Sequence, residues 1–289
     1  MEYASVFFLH LPKTGGTTMR RVLDREYRNA RRYEIGEDVT GDIRAFRTRQ
    51  WDTHNAPRLV QGHMSYGLHR FVPGPATYVT LLREPLRRAL SDYHYVTSTP
   101  GHPIHGHVKD MGLVEYFESG ITGQLSNGQV RLLSGDHLPD DPGVPSNRAM
   151  GRADLELALE HLQEGFAAVG VQERFDETLL LFHRRLGWQW PFYVRENVTS
   201  RSYRQEEVPG ADLERISELN LLDTELYETV RAMFEREVAR QGPGFARSVA
   251  AFRLLNRAWG ALARNLPPGA RVAAGNLWRA MRRDGQGAG

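Results

Sequence analysis

Residues 10–18, His-Leu-Pro-Lys-Thr-Gly-Gly-Thr-Thr, set one lysine, two adjacent glycines and three threonines directly behind the apolar run from Tyr3 to Leu9. A helical pattern through Met19, Val22 and Leu23 follows. A strand, a glycine turn and a helix in that order form an anion site. The first N–H groups of the helix have no carbonyl partner, and the helix dipole favours negative charge there. Gly15 and Gly16 let the backbone approach phosphate oxygens closely. Thr17 and Thr18 offer hydroxyl donors, and Lys13 brings a positive charge. In the cradle of ATPases and GTPases, Gly-Lys-Ser/Thr closes the loop and the hydroxyl holds Mg²⁺. Here the lysine precedes the glycines, so a Mg²⁺–triphosphate reading loses its main residues. The bland alternative is a βα turn whose glycines serve geometry alone.

A second constellation lies in Tyr78 to Tyr95, YVTLLREPLRRALSDYHY. Arg83 closes a β-branched run, and Ser91 follows two helical turns later on the face that carries Glu84 and Arg87. A guanidinium fork with a hydroxyl suits a phosphate monoester. The alternative is a capping ion pair for Arg83 and a solvent-facing Ser91. For a general base, histidine has the suitable pKa, and the chain holds eleven. His63, in Val-Gln-Gly-His-Met-Ser-Tyr, stands at the end of an expected strand between the two phosphate motifs. Open α/β sheets bind ligands at such strand ends. The alternative for His63 is a structural histidine at a turn. His94 and Tyr95, just beyond Ser91, face an acceptor in this reading, while His10 supports the loop and Glu84 suits a helix N-terminus. The run HPIHGHVKD (102–110) has neither a helical i,i+4 histidine pair nor a nearby carboxylate set, so it reads as an acceptor loop and not a metal site. Arg87, Arg88 and Lys109 are available to an anionic sugar.

HLPKTGGTT closely resembles the 5′-phosphosulfate loop of carbohydrate sulfotransferases that use PAPS (3′-phosphoadenosine 5′-phosphosulfate), above all the heparan sulfate 2-O- and 6-O-sulfotransferases and their bacterial relatives. LREP followed by LSDY resembles their 3′-phosphate motif. The resemblance implies PAPS as donor, PAP as product and no metal. Residues 10–18, with Lys13, Thr14, Gly15, Gly16, Thr17 and Thr18, would wrap the 5′-phosphosulfate, Lys13 steadying the departing phosphate. Arg83 and Ser91 would hold the 3′-phosphate. Those enzymes carry a catalytic histidine in a comparable Gly-His segment, which adds to His63. A looser likeness in residues 166–180, 196–199 and 216–227 implies that Asn197, Thr199 and Arg201 lie near the nucleotide. The expected reaction is sulfuryl transfer to a hydroxyl of a carbohydrate or glycolipid. A kinase on the same fold, and an inactive PAP- or glycan-binding module, are the rival readings.

These groups need a scaffold. Expected strands are Tyr3 to Leu9, Arg58 to Gly62, Ala76 to Leu82 and Phe166 to Val171; residues 28–57 read as loops with a short helix. Expected helices run through Leu86, Leu90 and Tyr93, over Arg152 to Leu162, over Phe175 to Leu186, and from Asp212 to Arg240 with one break. Residues 98–151 read as a long insertion with apolar islands. Alternating strands and helices give an α/β class: a three-layer P-loop nucleotide-binding-like fold with a central parallel sheet, plus C-terminal helices.

The expected domain spans 1–242, followed by a basic amphipathic helical tail at 243–289. That tail holds eight arginines against the single acid Asp284, so with a net charge of +2 the remainder of the chain is acidic. A nucleic-acid-binding surface is therefore not expected. In the tail Val249, Phe252, Leu255, Trp259, Leu262 and Leu266 recur at helical spacing, with Arg253, Arg257 and Arg264 opposite. It reads either as a helix docked on the domain or as an interfacial helix drawn to anionic lipid. There is no cysteine, which excludes disulfides and thiolate chemistry and suits a reducing compartment. No apolar stretch reaches the ~18–20 residues of a membrane span, and the first apolar run is shorter than a signal peptide of ~15–30 residues. The expectation is a cytoplasmic protein, with peripheral membrane contact as the second reading of the tail.

Overall fold

The apolar run Ser5–Leu9 forms β1, buried at every position, as a strand covered on both faces of a parallel sheet must be. The computed structural model describes residues 3–135, 148–194 and 205–264. After β1 come α1 (Gly16–Glu26), β2 (Arg32–Ile35), α2 (Val39–Thr48), β3 (Leu59–Gly62), β4 (Ala76–Leu82) and α3 (Pro85–Ser98). The insertion then contributes α4 (His105–Val108), α5 (Leu113–Glu118) and α6 (Gly128–Ser134). The chain continues with α7 (Arg152–Glu164), β5 (Phe166–Val171), α8 (Phe175–Leu186), α9 (Gly210–Leu219), α10 (Leu221–Arg240) and α11 (Pro243–Arg264).

The five strands form one parallel sheet in the order β2-β3-β1-β4-β5. The chain moves outward from β1 to β2, returns to β3, and then crosses β1 to reach β4. Parallel crossovers are right-handed, so this reversal sets α1 and α2 on opposite faces and produces the three layers. It also makes β1 a switch point, with a crevice at its carboxyl end. β2 is an edge strand that the sequence pattern does not reveal: in Arg-Tyr-Glu-Ile only Ile35 is buried, so no apolar run announces it. The break expected between residues 212 and 240 falls at Asn220, which ends α9 and caps α10.

The main core joins the sheet to α1, α7, α8, α10 and α11. A smaller core, including Leu90, Tyr93 and Val96 of α3, Tyr116 and Phe117 of α5, and Ile216 of α9, backs the far side of α3. Of the two readings of the tail, the structure shows the docked one for α11. Phe245, Val249, Phe252 and Trp259 are buried in the main core, and Phe252 stacks on Phe192 at 5.7 Å. Arg253 binds Asp176 at 3.0 Å. Leu262 departs from the expected buried stripe and is exposed. Among the described residues no helix is long and apolar enough to cross a membrane.

Candidate functional site

Register gathers the site. Leu9 pairs with Gly62 on one side and with Thr80 on the other, so His10 and His63 leave the sheet side by side. Leu82 pairs with Val171, which sets Arg83 beside Gln172. Gly15 caps α1 in the left-handed region at φ 89°, and the first turn of α1 holds neither an acid nor a side-chain cap. The first helical bond runs from the Met19 N–H to the Gly15 carbonyl at 3.3 Å, so the N–H groups of Gly16 and Thr17 precede the helical ladder. A Cβ on Gly16 would stand 1.7 Å from His10 Nε2; only glycine fits beneath that ring. Thr14 shapes the loop from within, its buried hydroxyl donating to the Leu11 carbonyl at 2.8 Å.

Lys13 also has a positive φ, 65°, and its Nζ lies 3.6 Å above the Tyr95 ring. Burial brings its pKa down to about 8; Asp92 works against that shift and Arg83 adds to it. His63 is half-buried, and its Nδ1–H donates to the His10 carbonyl at 2.9 Å. A carbonyl only accepts, so the bond fixes the tautomer and leaves the Nε2 lone pair free. Gly62 makes this placement possible at φ 145°, where a Cβ would lie 2.2 Å from the Ile35 carbonyl oxygen. The His10 ring stacks on His63 at 4.3 Å. Burial lowers both pKa values, with the Arg20 and Lys13 charges contributing to each. His10 thus supports the loop and its neighbour, as its sequence position suggested.

Arg83 reaches back to the glycine loop, its Nη1 donating to the Lys13 carbonyl at 2.9 Å. Its Nε is buried without a partner among the described residues. Glu84 caps α3, accepting from the Leu86 and Arg87 N–H groups at 3.0 and 2.8 Å, so that helix end is closed to an outside anion. Ser91 is half-buried on α3 one turn before Tyr95. Of His94 and Tyr95, Tyr95 is the one that meets Lys13; the His94 residue is half-buried beside it.

At this end Asp92 and Glu173 were not singled out from the sequence, and His102 opens the 102–110 run read there as an acceptor loop. Asp92 accepts from the Tyr116 hydroxyl at 2.9 Å. His102 lies edge-on to Tyr95 at 5.5 Å, and its Nδ1 is buried without a partner among the described residues. The loop holding it is fixed by His105, whose Nδ1–H donates to the Val96 carbonyl at 2.9 Å. Glu173 accepts from the Glu84 N–H at 3.0 Å and from the Tyr227 hydroxyl at 2.9 Å, tying the turns after β4 and β5 together. Only tertiary structure brings these three near Lys13 and Arg83. The anionic-sugar reading of Arg88 is corrected: Arg88 is buried 3.6 Å from Asp223, because the smaller core covers that side of α3. Arg87 is exposed, and Lys109 lies 3.8 Å from Asp110 on the surface.

On the other flank of the loop a cleft of about 730 Å³ is lined by Gln172, Phe175, Asp176, Tyr193, Arg253 and Arg257 among others. A Cβ on Gly15 would stand 3.3 Å from Gln172, so the cleft adjoins the glycine turn. Phe175 and Tyr193 meet edge to face at 5.0 Å, giving it an aromatic wall, and α11 supplies its cations. Asn197, Thr199 and Arg201 lie outside the described residues. The arrangement suits a doubly anionic ligand, one anion on the loop and another near Arg83, with a base at Nε2 of His63.

Residues 3–265 match the family model described as Galactose-3-O-sulfotransferase. Galactose-3-O-sulfotransferase 3 of Bos taurus is 27% identical over 257 residues, covering 83% of this chain and 59% of that protein. Galactosylceramide sulfotransferase of Bos taurus is 29% identical over 185 residues, covering 63% and 43%. Heparan-sulfate 6-O-sulfotransferase 1 of Homo sapiens is 28% identical over 278 residues, covering 80% and 66%. The chain thus spans roughly six-tenths of the length of the galactose-3-O-sulfotransferases it matches. A mouse sulfotransferase solved with PAP superposes with a TM-score of 0.37 at 14% identity, over 74% of this chain and 63% of that one.

Proposed function

The chain belongs to the galactose-3-O-sulfotransferase family, and from that premise we propose that it transfers a sulfuryl group from PAPS to a galactosyl hydroxyl of a glycan or glycolipid. The observation that carries this reading is the convergence of two anion-binding groups on one turn. The uncapped start of α1 lies at Gly15 and Gly16, and Arg83 is bound to the same loop at the Lys13 carbonyl.

The residues fit the donor. The glycine pair lets the loop close on its own neighbours, since a Cβ at Gly16 would overlap the His10 ring and one at Gly15 would crowd Gln172. The turn can then present backbone N–H groups to an anion. Arg83, with a buried unpartnered Nε, and Ser91 suit the 3′-phosphate, and the aromatic cleft beside Gly15 suits the nucleoside. Bound PAPS supplies the sulfuryl group: the acceptor oxygen bonds to sulfur as the sulfur–oxygen bond to the 5′-phosphate breaks, leaving PAP. His63 Nε2 takes the acceptor proton, while its Nδ1–H stays on the His10 carbonyl. Lys13 and the N–H groups of Gly16 and Thr17 stabilise the charge that grows on the leaving phosphate. Tyr95, Asp92 and His102 line the acceptor side beside Lys13, and their carboxylate and imidazole match sugar hydroxyls better than an anionic sugar.

Isothermal titration with PAP and with ADP–Mg²⁺, on the wild type and on Arg83→Ala, tests the reading. PAP is expected to bind far more tightly than ADP–Mg²⁺. The variant is expected to lose about a hundredfold in PAP affinity, as befits a charged hydrogen-bonded pair worth ~1.5–3 kcal/mol. Preference for ADP–Mg²⁺ would sink the sulfotransferase reading and favour a kinase.

A further inference from the structure

At the end of β4 the sheet stops pairing, and the Arg83 N–H and carbonyl need other partners. Both find the same one. The Arg83 N–H donates to Gln129 Oε1 at 3.1 Å, and Gln129 Nε2 donates to the Arg83 carbonyl at 3.0 Å. A side-chain amide offers an acceptor and a donor as a peptide does, so Gln129 extends the ladder by one residue. Gln129 is itself buried and fixed. The N–H groups of Gln129 and Val130 donate to the Asp223 carboxylate at 3.1 and 2.8 Å. Asp223 is fully buried against Arg88 of α3. Asn127 completes the joint, its Oδ1 accepting from the Leu222 and Asp223 N–H groups at 3.0 and 3.1 Å. A chain of buried polar contacts thus runs from the start of α10, through α6, to the backbone of Arg83.

We infer that Gln129, held by Asp223, is a positioning residue that fixes the Arg83 backbone and thereby aims its guanidinium at the nucleotide 3′-phosphate. Fixing both peptide groups of one residue restricts the φ and ψ that direct its side chain, which otherwise has one further anchor, the Lys13 carbonyl. The arrangement confers discrimination: a nucleotide with a 3′-phosphate benefits from a pre-aimed arginine, and one without it does not. The inference rests on the assignment of Arg83 to the 3′-phosphate.

The test is the ratio of affinities for PAP and for adenosine 5′-phosphate, measured by titration on the wild type, Arg83→Ala, Gln129→Met and Gln129→Glu, with thermal melts alongside. Methionine keeps the volume and removes both hydrogen bonds; glutamate keeps the acceptor and loses the donor. The wild type is expected to favour PAP strongly and Arg83→Ala to lose that preference. Gln129→Met is expected to lower the ratio tenfold or more while still melting cooperatively, and Gln129→Glu to lower it less. If Gln129→Met weakens both nucleotides by the same factor, Gln129 is packing alone and the inference fails. Should the methionine variant not fold, an unchanged ratio in Gln129→Glu overturns the inference and a reduced one supports it. A wild-type ratio in Arg83→Ala would remove the 3′-phosphate assignment, and the positioning role would fall with it.

Discussion

His63 holds its proton on Nδ1 against the His10 carbonyl, so its basic nitrogen is defined before any acceptor arrives. Burial lowers its pKa, so the neutral base persists below the ordinary histidine value of about 6.5. Lys13 sets the opposite limit. With a pKa of about 8 in the donor-free protein, its charge fades as pH rises through that value. The expected kcat/KM profile is a bell, with an acid limb below pH ~6.5 and an alkaline limb near 8. An acid limb above that histidine value would exclude His63 as the base. His63→Ala should lose about 10²–10⁴-fold in kcat with PAP affinity unchanged. Asp92 supplies a further test, because its charge holds the Lys13 pKa up. In Asp92→Asn the Lys13 pKa should fall further, so the alkaline loss of PAP binding moves to lower pH. Titrations across the alkaline range check this, and an unmoved limb would show that another group sets it.

At the scale of elements, α3 binds the two halves of the site. Its N-terminus is capped by Glu84, its later turns carry Asp92 and Tyr95 to Lys13, and Ser91 lies one turn before Tyr95. Glu84→Ala removes the cap and should cost about 1 kcal/mol, read as a Tm lower by ~2–4 °C; an unchanged Tm would mean that Glu173 and Pro85 define the helix start alone. The periodicity that places α3 is plain in the sequence, as are the β-branched run of β4 and the apolar run of β1. Lys13, His63 and Arg83 could be singled out for the same reason: each sits in a short motif whose chemistry is local. Gln129, Asp223 and Glu173 could not. Their work is to hydrogen-bond groups dozens of residues away, and a glutamine in a glycine-rich insertion carries no mark of it. β2 escaped notice for a related reason, since Arg32 and Glu34 face outward at the sheet edge.

At the scale of the whole molecule, the open matter is where the folded unit ends. Charge and amphipathicity set residues 243–289 apart as a tail, yet α11 buries Phe245, Val249, Phe252 and Trp259 in the same core as the sheet. Each such side chain contributes about 1.5–3 kcal/mol by burial, so four together rival the ~5–15 kcal/mol that stabilises a whole domain. The helix also reaches the site: Arg253 and Arg257 line the cleft beside the glycine loop, and Asn256 Oδ1 accepts from the Tyr193 N–H at 2.8 Å. The family match runs to residue 265, one residue past the end of α11. Two truncations separate the helix from the residues beyond it. A chain ending at Gly242 exposes the aromatic cluster under Phe252 and should fail to melt cooperatively. A chain ending after residue 265 keeps every one of these contacts and should retain both its melting transition and its PAP affinity. Cooperative melting of the shorter chain, with PAP still bound, would make α11 an appendage; loss of binding in the longer one would place part of the donor site beyond residue 265.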